Sequence, residues 1–127
     1  MNWIIRKLED IAVVFTPSDA FTDWLIQRSP AILDWVDPYR DRRLDDHAQR
    51  QVLQILQELR STAEDEIRQY YMTRTKLPQD PEVRQALLTQ LITQTLDKQP
   101  HWQCLQELES LLTLALSEDL LIECIGD

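Results

Sequence analysis

Residues 2–15 read Asn2-Trp3-Ile4-Ile5-Arg6-Lys7-Leu8-Glu9-Asp10-Ile11-Ala12-Val13-Val14-Phe15, and the period assigned to them decides the fold class. Ile4, Leu8, Ile11 and Phe15 recur at a 4-3-4 spacing, which sets them along one face of an amphipathic helix. The alternative is a strand over Ile11–Phe15, because β-branched and aromatic side chains suit a pleated surface. The chain has a single glycine, Gly126, which leaves none for a tight hairpin turn, a phosphate-cradling loop or a dinucleotide fingerprint. The stretch is therefore read as a helix.

Downstream, proline and capping residues punctuate the chain. Ser18 caps a helix from Asp19 to about Gln27 that carries Phe21, Trp24 and Leu25 on one side. Ser29-Pro30 opens a short helix through Trp35, and Asp37-Pro38 ends it. From Asp45 to about Arg74 there is neither glycine nor proline, and Val52, Leu56, Leu59, Ala63, Ile67 and Tyr70 form one stripe with a polar face opposite. Asp80-Pro81-Glu82 starts a further helix, and Pro100 starts another whose Cys104, Leu105, Leu108, Leu111, Leu112 and Ala115 point inward. Ser117-Glu118-Asp119 is either the cap of a last short helix or the lead into an extended segment over Leu121–Ile125. The expectation is an all-α protein, a compact antiparallel bundle of five to six helices around a long central helix at 45–74. No period of 20–50 residues recurs, which argues against a solenoid.

At 127 residues, with 43% hydrophobic and 28% charged side chains, the chain matches one folded domain over 1–127. Within it, 1–43 reads as aromatic-rich short helices and 44–127 as long helices and an acidic tail. Asp and Glu number 22 against 13 Lys and Arg, and residues 101–127 hold six acids and no base. That balance disfavours nucleic acid and anionic membrane, which need a basic face, and matches a basic protein or peptide partner. No apolar run approaches the ~20 residues of a membrane span, and charges at Arg6, Lys7, Glu9 and Asp10 interrupt any signal-peptide core, so a cytoplasmic location is expected. Cys104 and Cys124 are read as reduced, buried thiols, with a bridge between them left open.

Catalytic sets are incomplete. His101-x-x-Cys104 sets two metal-ligand types on one helical face, but a closed zinc site needs two more ligands, and His47 lies on another element. Di-metal bundles need Glu-x-x-His, which is absent here. Glu64-Asp65-Glu66 is an acid run whose neighbours point about 100° apart, as on a solvated helix face. A Cys104–His101 nucleophile pair would need an exposed thiol, whereas Cys104 sits on an apolar stripe. No cofactor or metal is expected.

Six of the nine aromatics fall in the first 39 residues, in segments too short to cover one another. Phe21, Trp24, Trp35 and Tyr39 are therefore the candidate partner-binding residues, since Trp and Tyr are common interface anchors. The functional expectation is a non-enzymatic interaction module, such as an adaptor, assembly chaperone or regulatory subunit, that holds a peptide or helix in an apolar groove. The competing expectations are an enzyme using His101, Cys104 and the 64–66 acids, and an acidic mimic that blocks a basic nucleic-acid-binding surface through its tail. A homodimer is left open.

Overall fold

Residues 2–15 are two strands, which overturns the all-α expectation. In the computed structural model of the chain, which describes residues 1–8 and 10–126, β1 (Asn2–Lys7) and β2 (Asp10–Phe15) pair antiparallel. Glu9 and Asp127 lie outside the described residues. Trp3 stands opposite Phe15, and Lys7 opposite Asp10. The 4-3-4 spacing is not a buried face: Leu8 is 99% exposed and Ile11 52%, while Trp3 and Ile5, two apart, are fully covered. A period of two has won over a period near four.

The chain turns here without glycine because Leu8 takes the left-handed conformation, with φ 59°. A side chain with a Cβ is disfavoured there by about 1–2 kcal/mol. Asn visits this region more readily. Leu8→Asn removes no packing, so it should raise the stability to urea unfolding by about 1 kcal/mol; an unchanged or lowered midpoint would contradict the turn geometry.

The carboxyl end is the second departure. Asp119, also left-handed at φ 55°, ends α4, and the Leu120 N–H donates to the Ala115 carbonyl at 2.9 Å. The chain then runs into β4 (Ile122–Ile125), so Ser117–Asp119 finishes a helix and starts none. Strand β4 lies between β1 and β3 (Arg42–Leu44), giving an antiparallel sheet of order β2-β1-β4-β3. Both ends of the chain thus form the middle of one sheet.

Four α-helices complete an α+β fold among the described residues: α1 (Asp19–Arg28), α2 (Asp46–Arg74), α3 (Pro81–Asp97) and α4 (Trp102–Glu118). The expected count of five to six fails because residues 2–15 are strands and because Pro30–Asp34 makes a 3-10 turn in place of an α-helix. The helix starts follow the caps. Ser18 Oγ accepts from the Phe21 N–H at 3.2 Å, Asp45 Oδ1 from Ala48 at 2.9 Å, and Asp80 Oδ1 from Glu82 at 2.9 Å.

Helices α2 and α4 pack together, burying Val52 and Leu56 with Leu105, Leu108 and Leu112. The same core takes in Trp3, Ile5, Phe15, Ile122 and Cys124 from one face of the sheet. Burial pushes the Cys124 thiol up to about 12, so it stays protonated at neutral pH. Of the tyrosine pair, Tyr71 turns inward, its Oη 2.8 Å from Thr95 Oγ1, and Tyr70 is half exposed. Among the described residues no helix is long and apolar enough to cross a membrane.

Candidate functional site

The four aromatics singled out from the sequence do not converge. Phe21 is 1% exposed and belongs to the core, in edge contact with Phe15 at 6.4 Å between centroids. Trp24 is half-buried between Phe21 and His101, at 5.9 and 5.2 Å, and lines a cavity of only about 100 Å3 with Leu59 and Trp102. Trp35 stands edge-on to His47 at 5.5 Å. Tyr39 alone is openly presented, at 81% exposure.

Tyr39 borders a cleft of about 810 Å3 between α1, the 3-10 turn and the corner that follows it. Asp19, Thr22, Asp23 and Ile26 reach the cleft from one face of α1, at the i, i+3, i+4, i+7 spacing of neighbouring turns. Leu33, Asp37, Pro38 and Met1 complete the wall. Pro38 follows Asp37 in a tight turn closed by the Arg40 N–H donating to the Asp37 carbonyl at 3.2 Å. The Asp37 carboxylate accepts the Tyr39 N–H at 2.9 Å, which fixes the backbone that presents the ring.

The single glycine supports this corner from behind. A Cβ on Gly126 would come within 2.3 Å of the Arg40 backbone nitrogen and 2.7 Å of the Tyr39 carbonyl carbon, so only glycine lets the end of the chain approach. The Gly126 N–H donates to Asp41 Oδ1 at 3.1 Å. The corner carrying Tyr39 is thereby tied to the residue after β4. Composition marked this glycine as unusual, but its use depends on a contact across the whole chain.

Three carboxylates, Asp19, Asp23 and Asp37, line the cleft together with the amino-terminal residue Met1; none of its lining residues is lysine or arginine, and Asp37 is paired with Arg40 at 3.9 Å. Three of the six acids of the tail are paired within the fold. Glu123 pairs with Arg6 at 3.0 Å and Arg43 at 3.8 Å, Glu118 with Lys7 at 3.5 Å, and Glu109 with Arg60 at 3.0 Å. Burial raises the pKa of Glu109, against the pull of Arg60, whose guanidinium also lies 5.0 Å above the Trp102 ring. Neither Asp19 nor Asp23 stands out in the sequence, because Asp19 looks like an ordinary first-turn helix charge and Asp23 like one on a solvated helix face.

The residues proposed for catalysis are scattered. Cys104 is half-buried, and burial together with the charge of Glu107 raises its pKa, which disfavours the thiolate. His101 packs on aromatic rings, Asp65 pairs with Arg68 at 2.8 Å, and Glu66 borders the small Trp24 cavity. Among the described residues no group of three or more His, Cys, Asp or Glu side chains could hold a metal ion. No known protein family, curated protein or solved structure matches the chain.

Proposed function

We propose that the protein is a non-enzymatic interaction module whose α1 cleft holds a cationic, partly apolar segment of a partner protein. The observation that carries this reading is the combination of three carboxylates with exposed Tyr39 and Leu33 in one cleft of about 810 Å3. An arginine or lysine of the partner meets Asp19, Asp23 or Asp37, while an adjacent leucine or aromatic residue covers Tyr39, Leu33 and Ile26. The two contributions play different parts: the charges steer the encounter and select against acidic competitors, and the ring and aliphatic floor slow dissociation. The aromatic anchor expected from the sequence is retained in Tyr39.

The test is fluorescence anisotropy with a labelled peptide of alternating Arg and Leu against the wild type, Asp19→Asn/Asp23→Lys and Tyr39→Ala. These side chains are exposed, so the variants should keep the wild-type circular dichroism spectrum. Each should weaken binding by about 2 kcal/mol, some thirtyfold, as loss of an interface anchor does. Trp24→Ala, which removes a ring from a different cavity, should leave the affinity unchanged. Equal affinity for all four proteins would sink the proposal.

A further inference from the structure

The contact between Gly126 and the Tyr39 corner joins two parts of the fold that differ in stiffness. Strand β4 is paired on both sides, with Ile125 opposite Asn2 of β1 and Ile122 opposite Leu44 of β3, and Gly126 follows it directly. The corner at 37–41 is a turn held by single hydrogen bonds. The Tyr39 N–H donates to Asp37 Oδ1 at 2.9 Å and the Arg40 N–H to the Asp37 carbonyl at 3.2 Å, both within the corner. The Gly126 N–H, donating to Asp41 Oδ1 at 3.1 Å, ties the corner to the sheet.

A side chain at position 126 would press on backbone, which cannot rotate away. The three atoms nearest to a Cβ there are the Arg40 nitrogen at 2.3 Å, the Tyr39 carbonyl carbon at 2.7 Å and the Arg40 carbonyl carbon at 2.8 Å. Gly126 does not have a positive φ, so alanine suits its own backbone and the clash lies with the corner alone. Opening 2.3 Å to the 3.4 Å of ordinary contact is a shift of about 1 Å. The strand is fixed from both sides, so the shift falls on the peptide between Tyr39 and Arg40, the unit that aims the Tyr39 ring.

We infer that Gly126 is a positioning residue of the α1 cleft, an inference that rests on the function proposed above. The end of β4 sets where Tyr39 stands, and through the ring it sets the affinity for a cationic, partly apolar segment. Gly126 is not among the residues that line the cleft, so its effect passes through Tyr39 and not through contact with the partner. Close-packed contacts lose about a quarter to a half of their attraction over a gap of roughly 0.5–1 Å. A displaced ring therefore binds less well than a seated one. The expected loss is about tenfold, less than the roughly thirtyfold of removing the ring outright.

A double-mutant cycle on affinity for the labelled Arg/Leu peptide tests it. Gly126→Ala should keep the wild-type circular dichroism spectrum and bind about tenfold more weakly. Added to Tyr39→Ala it should cost nothing further, because the ring it displaces is gone. Added to Asp19→Asn/Asp23→Lys it should cost its full factor of about ten. Asp41→Ala, which frees the Gly126 N–H without adding an atom, should repeat the pattern with a loss of about threefold, and it decides the matter if Gly126→Ala unfolds. Equal losses with and without the Tyr39 ring would overturn the inference alone, as would unchanged affinity in the deciding variant. A wild type that does not bind the peptide would overturn the proposed function, and the inference with it.

Discussion

Leu56→Asp is expected to abolish cooperative folding. Leu56 is fully buried in α2, within the cluster that joins α2 and α4 to the sheet. Replacement forfeits about 1.5–3 kcal/mol of apolar burial. It also leaves a carboxylate in the core without a cation, costing several kcal/mol more. Together these rival the roughly 5–15 kcal/mol that holds an ordinary domain folded. The check is a urea or thermal melt followed by circular dichroism, in which the variant should show no native baseline. A melting temperature near that of the wild type would mean that α2 presents a different face to the core.

Gln49→Leu should bring the second largest loss. Gln49 is 1% exposed, and its Nε2 donates to the Leu44 carbonyl at 2.8 Å and the Leu120 carbonyl at 2.7 Å. One amide thus fastens the end of β3 and the turn between α4 and β4 to the first turns of α2. Leucine has a similar volume but no donor, so two carbonyls lose their partner at about 1–3 kcal/mol each. The variant should lose about 2–6 kcal/mol in urea unfolding. Gln54→Leu, on the exposed side of the same helix, should lose very little. Equal effects at the two positions would contradict the role given to Gln49.

These two residues mark how far the sequence could be read. Leu56 was legible, because an uninterrupted stripe from Val52 to Ile67 is a local signal and Asp45 caps the helix within the same few residues. Gln49 was not: from the sequence it belongs to the polar face, and only the arrival of Leu120, 71 residues on, gives it two carbonyls to satisfy. The sheet was hidden for the same reason. Strand β1 gains its central position by pairing with β4 at the other end of the chain, and the hairpin turns at Leu8, where glycine or asparagine is the usual signal. Ile122–Ile125 carries strand-forming residues, but four residues without a visible partner cannot be told from a helix end.

The site was legible in the same uneven way. Tyr39 follows an Asp-Pro turn, a local signal that the ring is held at the surface. Its acidic surroundings come from α1, on the opposite wall of the cleft, and the density of charge in the tail pointed elsewhere. In the fold three of those tail carboxylates, Glu109, Glu118 and Glu123, are held by Arg60, Lys7, Arg6 and Arg43. The carboxylates of the proposed cleft are Asp19, Asp23 and Asp37, of which Asp37 also pairs with Arg40 at 3.9 Å.

The most direct measurement is a nitrogen-15 chemical-shift titration of the labelled chain with the Arg/Leu peptide and with its Glu-for-Arg counterpart. The proposed cleft predicts that the cationic peptide shifts the amides of Asp19, Asp23, Ile26, Leu33 and Tyr39, that added salt weakens the effect, and that the acidic peptide shifts none of them. Shifts spread over α2 and α3, or equal responses to the two peptides, would contradict it.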